Sequence, residues 1–90
     1  MKLLQVTIGA AATQFTTGDF PVRQLIVQNN ATHSMRIGDY SVSATKGALL
    51  ASGSPGGSIN MGPFYDSPEN LKEWWVAGTQ NDLVDILFTD

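Results

Sequence analysis

Short runs in which apolar and polar residues alternate, separated by turn-forming clusters, limit the fold of this chain more than any other feature. In the first run Leu4, Val6 and Ile8 alternate with polar Gln5 and Thr7. No window of a dozen residues repeats apolar groups at helical spacing without an interrupting Gly or Pro. Since a period of two places alternate side chains on one face, these runs predict β-strands.

The predicted strands recur every 8–12 residues along the chain, which is typical of a β-sandwich or a small barrel. Gly-, Asn- and Pro-rich turns separate them, and Pro68–Leu71 is predicted to form one helical turn. The last two strands are predicted to pair as a hairpin across Thr79–Asp82. The runs are Leu3–Ile8, Thr13–Thr16 (which extends or follows the first), Val22–Gln28, Met35–Ile37, Tyr40–Val42, Ala48–Leu50, Ser58–Met61, Glu73–Ala77 and Leu83–Phe88.

These patterns predict an all-β fold, a small antiparallel β-sandwich of jelly-roll type with about seven or eight short strands. The 90 residues suffice for one domain, residues 1–90, and no linker divides them. A chain of this length buries a modest core, so stabilisation by self-association is expected.

Composition excludes several functional classes. The net charge of −3 and five scattered basic residues offer no basic patch for nucleic acid. No apolar run approaches the ~20 residues of a membrane helix. Charged residues make up 14% of the chain, against a usual share of about 25%. Such a polar but weakly charged surface suits protein contact, because few ions lose their hydration on docking.

The sequence contains no recognisable catalytic or cofactor-binding motif. His33 is the only histidine and stands in an Asn/Thr/Ser turn, and there is no cysteine, so a zinc site lacks ligands. No nucleophile elbow of the G-x-S-x-G type is present. Asp82 and Asp85 could contribute to a calcium site, although their spacing matches no EF-hand loop. We therefore predict a protein that is not an enzyme and that uses no metal or cofactor.

The adjacent Trp74 and Trp75 are the most informative local feature. Neighbouring residues on a strand point to opposite faces, so we expect Trp74 inside the sandwich and Trp75 outside. An outward indole could be covered by a loop, could form part of a subunit interface, where Trp is enriched, or could stack on a sugar.

The order of several motifs resembles small β-sandwich proteins of tailed bacteriophage particles, over roughly residues 22–88. Leu25-Ile26-Val27-Gln28-Asn29 is followed by Ile37-Gly38-Asp39, by Val42, by Gly47-x-x-Leu50 and by Trp74-Trp75-Val76-Ala77-Gly78. The chain departs from that pattern in its Gly53–Gly57 loop and in an extra Gly62–Tyr65 segment. Modules of this type include capsid decoration (cement) proteins and the bases of head fibres.

The resemblance implies a virion structural protein, most simply a capsid decoration protein that binds the major capsid protein or other virion proteins. It implies a homotrimer on the capsid surface, made in the host cytoplasm. The alternatives are another virion module, such as a fibre base, tail or adaptor protein, and a carbohydrate-binding module that uses exposed aromatic residues. The residues predicted to lie at the interface are Trp75, Tyr65, Asn29, Asn30 and His33.

Overall fold

The computed structural model describes residues 2–53, 56–64 and 68–89. Its strands, in chain order, are β1 (Lys2–Thr7), β2 (Thr13–Gln14), β3 (Pro21–Val22), β4 (Gln24–Asn29), β5 (Met35–Gly38), β6 (Ala48–Leu50), β7 (Ser58–Met61), β8 (Glu69–Asn70), β9 (Trp75–Ala77) and β10 (Leu83–Thr89). A 3₁₀ turn at Leu71–Glu73 is the one helical segment of those ranges. No helix there is long and apolar enough to cross a membrane.

The ten strands pair as one long hairpin. β1 pairs with β10, β2 with β9, β3 with β8, β4 with β7 and β5 with β6, and every pair is antiparallel. The chain therefore runs out to a tip between β5 and β6 and returns alongside itself. Two further antiparallel pairings, β10 with β4 and β5 with β9, roll this hairpin up.

Rolling produces two four-stranded sheets with the strand order of a jelly roll. The first sheet has the order β1-β10-β4-β7 and the second β2-β9-β5-β6, while β3 and β8 form a separate two-stranded ribbon. This is the eight-stranded, double-sheet arrangement of jelly rolls. The predicted all-β sandwich is thus confirmed.

The predicted hairpin between the last two strands is wrong. β9 lies in the second sheet and β10 in the first, so the connection between them crosses from one sheet to the other. It does contain a turn, with Asn81 at φ 74° and Asp82 N–H donating to the Thr79 carbonyl at 3.1 Å. Bonds from Ile8 N–H to Asp82 O and from Asn81 N–H to Ile8 O tie this turn to the end of β1.

The core lies between the inner faces of the two sheets, as alternation requires. In β10 the pattern is regular, with Val84, Ile86 and Phe88 buried and the residues between them partly exposed. Full burial of such a side chain contributes about 1.5–3 kcal/mol. The buried cluster contains Val6, Ile8, Phe15, Val22, Leu25, Val27, Met35, Ile37, Leu50, Leu71, Val76, Val84, Ile86 and Phe88.

Several local predictions differ from the structure. The strand predicted at Glu73–Ala77 begins only at Trp75, since Glu73 belongs to the 3₁₀ turn, and the one predicted at Thr13–Thr16 ends at Gln14. Tyr40–Val42 is a turn, because Asp39 binds its backbone: Ser41 N–H donates to Asp39 Oδ1 at 2.8 Å, and Val42 N–H to Asp39 O at 3.0 Å. The run predicted at Val22–Gln28 is divided at Arg23, where the chain exchanges its partner β8 for β10. The helical turn expected at Pro68–Leu71 begins later, at Leu71.

Several residues that carry the phage-protein resemblance close the tip of the rolled hairpin. Gly47 has φ 133°, and a Cβ there would lie 2.7 Å from Val42 Cγ2 and 2.8 Å from the Ile37 carbonyl oxygen. Gly38 lies beneath Val42 as well. Val42 itself is buried. These residues therefore have a structural role at the tip, which the bare motif does not reveal.

Candidate functional site

The outer face of the first sheet carries a continuous apolar row. Because strands alternate and antiparallel partners share a face, the register places Leu3 beside Leu87 and Leu87 beside Ile26. Leu3 is 66% exposed, whereas Leu87 and Ile26 are half-buried. The row crosses the three strands β1, β10 and β4.

Polar side chains, nearly all of them uncharged, flank this apolar row. On one side the register places Gln5, Asp85, Gln28 and Ser58 next to one another, and Gln5 Nε2 donates to Asp85 Oδ1 at 2.8 Å. Within the described residues, Asp85 is the one charged side chain that these four strands place on this face. A partner docking on the face would displace little bound water from ions, so the face is well suited to protein contact.

Asn29, predicted to lie at an interface, is instead buried and serves as an internal brace. It is 2% exposed. Its Nδ2 donates to the carbonyl oxygens of His33, Leu50 and Ala51 at 2.9–3.2 Å, and its Oδ1 accepts from Ala31 N–H. A buried amide is expensive unless bonded, so the side chain faces these backbone groups and is unavailable to a partner.

The two other predicted residues of this turn, Asn30 and His33, are exposed. His33 Nδ1 lies 2.9 Å from Asp82 Oδ2, so the histidine has a carboxylate partner that is distant in sequence. Asn30 N–H donates to the Leu83 carbonyl at 3.2 Å. Both contacts link the β4–β5 turn to the start of β10. Sequence reasoning missed the His33–Asp82 pair because 49 residues separate its members.

The Trp pair divides between the two faces of the second sheet. Trp74 has an extended backbone and packs against the core, while remaining partly exposed. Trp75 lies on the opposite face in a row with Gln14 and Gly38. It is half-buried, whereas the sequence led us to expect an exposed indole. Tyr65, the remaining predicted interface residue, lies outside the described residues.

Two exposed carboxylates on loops have pKa values below their ordinary range. The hydrogen bond and charge of Lys72 lower the pKa of Asp19, with a smaller contribution from Asn70. Hydrogen bonds from the Ser41 hydroxyl and backbone lower the pKa of Asp39. Asp82 and Asp85, considered for calcium, face His33 and Gln5 respectively. No cluster of three potential metal ligands occurs in the ranges that the structure describes.

Comparison with known proteins adds no relative: no family model, no curated protein and no solved structure matches the chain. The functional argument therefore rests on the surfaces. Sequence reasoning also missed the Leu3–Leu87–Ile26 row. Ile26 is an apolar residue that alternates in phase with polar Gln24 and Gln28, but the row appears only when the strand order is known.

Proposed function

We propose that this protein decorates and stabilises the capsid of a tailed bacteriophage as a homotrimer, without catalytic activity. The observation that carries the proposal is the outer face of the first sheet, with its Leu3–Leu87–Ile26 row and single charge. Such a face favours docking on another protein, because apolar area is buried there at little cost in ion desolvation.

Two further arguments support a virion role. The motifs between Leu25 and Gly78 resemble phage sandwich modules, and the jelly roll recurs in viral capsid and lectin domains. Fold alone does not assign function. A capsid surface, however, repeats the same site many times. A trimer with three copies of one weak contact gains avidity there, because the second and third contacts become intramolecular.

The proposal is tested by the mass of the protein and by its binding to heads. Light scattering after size exclusion should give three times the 9.6 kDa chain mass. The protein should also cosediment with expanded heads of the phage that encodes it and raise their resistance to heat. A monomer that fails to bind expanded heads would refute this proposal.

Another virion location is the alternative within the same class. Cryo-electron microscopy of the particle distinguishes the two, since a decoration protein lies on the shell and a fibre-base, tail or adaptor protein lies elsewhere. A carbohydrate-binding function would need an exposed aromatic platform; Trp75 is half-buried, and no observation on the described surface favours sugar binding over protein contact. We therefore do not propose it.

A further inference from the structure

An apolar cleft opens at the side of the sandwich where β6 and β7 are the edge strands of their sheets. Its volume is about 550 Å³. Residues from the inner faces of both sheets line it, together with residues from the hairpin tip. The apolar lining residues are Ile37, Val42, Ala48, Ile59, Met61 and Trp74.

Trp74 leaves a hydrogen bond unmade at this cleft. Its indole Nε1 is buried and has no hydrogen-bond partner. Among the described residues, every other buried side-chain nitrogen or oxygen has a partner. A buried donor without a partner destabilises the structure. Since Trp74 lines the cleft, a group that brings an oxygen acceptor into the cleft can supply this bond when the indole turns toward it.

A large exposed aromatic side chain stands at the edge of the same cleft. Tyr40 is 78% exposed, and its neighbours in sequence, Asp39 and Ser41, both line the cleft. Tyr40 itself is not part of the lining, so it does not fill the cleft of its own chain. Tyrosine is enriched at the energetic centres of protein interfaces, and its hydroxyl oxygen can accept a hydrogen bond.

The cleft also carries one charge of each sign. Asp39 and Lys46 both line it. When two copies approach through this region, Asp39 of one can face Lys46 of the other, which steers the approach and fixes its orientation. A protruding aromatic group, a cleft to receive it and one charge of each sign therefore occur together on one chain.

We propose that Tyr40 of each copy inserts into the inter-sheet cleft of a second copy, with its hydroxyl near the Trp74 indole. This inference rests on the self-association proposed above and names the contact responsible. Each chain provides one insertion and one cleft. Two copies could exchange Tyr40 side chains mutually about a twofold axis; the trimer proposed above requires instead that the contact repeat head to tail and close as a ring with 120° between neighbours.

The test uses two variants that damage opposite halves of the contact. Tyr40→Ser removes the inserting group, and Ala48→Glu places a charge in the cleft at an exposed position. Both substitutions change exposed residues, so both variants should fold, which circular dichroism verifies. Each alone should have the mass of a monomer. The matched control is Leu49→Ser, which removes a side chain that is 55% exposed and lies outside the cleft lining, and it should keep the wild-type mass.

Mixing the two variants gives the sharpest result. Tyr40→Ser retains an intact cleft and Ala48→Glu retains Tyr40, so an equimolar mixture should form a two-chain species. Full association of either variant alone, or absence of a mixed species, would overturn the inference. Head binding is measured in parallel. If a variant associates normally and still binds heads, the proposed Tyr40 contact is refuted while the proposed function stands.

The two indole N–H groups provide an independent readout. The chain has two tryptophans, and Trp75 lies outside the cleft lining. In ¹H–¹⁵N spectra the Trp74 indole signal should move downfield as protein concentration rises, while the Trp75 signal serves as an internal reference. The same movement in the Tyr40→Ser variant would contradict insertion of Tyr40.

Discussion

At the scale of single residues, Asn29 shows how one buried amide can hold three chain segments together. It ends β4, and its side chain binds the backbone at residues 31, 33, 50 and 51. An amide carries two hydrogens on its nitrogen, so the three acceptors of Nδ2 share them. The bonds join the turn after β4 to the end of β6, and therefore join the two sheets.

Replacing Asn29 should be costly. The Asn29→Ala variant removes the bonds to the buried Leu50 carbonyl and to the partly buried His33 carbonyl and Ala31 N–H. We expect it to lower the free energy of unfolding by about 2–4 kcal/mol. Urea denaturation followed by tryptophan fluorescence measures this loss. Asn30→Ala is the matched control, because the Asn30 side chain is exposed and its N–H bond to Leu83 is retained. Equal midpoints for the two variants would contradict the bracing role.

Gly47 is a second residue whose identity is dictated by its surroundings. Any side chain there meets Val42 and the Ile37 carbonyl at a positive φ. Gly47→Ala should lower the free energy of unfolding by about 2–4 kcal/mol, since backbone strain and overpacking each cost about 1–3 kcal/mol. Gly18→Ala is the control, because nothing lies within 4 Å of a Cβ at that position. The control should be neutral or slightly stabilising, and thermal unfolding of both variants decides the matter.

At the scale of elements, an exposed ion pair links the connection between β2 and β3 to the 3₁₀ turn. Lys72 Nζ binds Asp19 Oδ1, and Asn70 Nδ2 donates to the same oxygen. The pKa of Asp19 is below its ordinary value of 3.8 for this reason. The stabilisation is therefore present above pH 3.8 and is lost as the pH falls through the lowered pKa. It is small, because both groups are exposed.

The Lys72→Met variant should raise the pKa of Asp19 toward 3.8, with part of the lowering retained through Asn70. Carboxyl ¹³C chemical shifts followed against pH measure the change. Asp39 provides the comparison: its pKa is lowered mainly by Ser41, so Lys46→Met should leave it low. An Asp19 titration identical in wild type and Lys72→Met would show that the ion pair does not form in solution.

The elements also show what the sequence can and cannot predict. β1, β4, β5, β7 and β10 follow from alternation, because a half-buried strand must place apolar groups on one face. Partners do not follow from alternation. The composition of Thr79–Asp82 predicts a turn, but a turn can join two paired strands or connect two sheets. Here it connects the sheets, because β10 pairs with β1 and β4 and not with β9.

The prediction that Asn29 lies at an interface is wrong for a related reason. Asparagine is common in exposed turns, which predicts a surface position for Asn29. The carbonyls of Leu50 and Ala51 that bind its side chain are 21 and 22 residues away, at and just after the end of β6. The Leu3–Leu87–Ile26 row likewise combines residues from three separate strands. Such features depend on contacts that are distant in sequence, and a local pattern contains no information on them.

At the scale of the whole molecule, the proposals assign different surfaces to different partners. The cleft and Tyr40 lie at the side where β6 and β7 are edge strands, and we assign them to self-association. The outer face of the first sheet extends from β1 across β10 to β4, and we assign it to docking on the shell. A small domain with a modest core would gain stability from both proposed contacts, because each partner binds only the folded state.

This division predicts that one charge on the outer face abolishes head binding and leaves the oligomer intact. Leu3→Glu introduces that charge at a side chain that is 66% exposed, so folding should be preserved. We expect at least tenfold weaker cosedimentation with expanded heads, because a carboxylate must lose its hydration against an apolar row. Leu49→Glu, on the second sheet, is the matched control and should bind as the wild type does. If Leu49→Glu weakens binding and Leu3→Glu does not, the second sheet faces the shell and the assignment of the two faces is reversed.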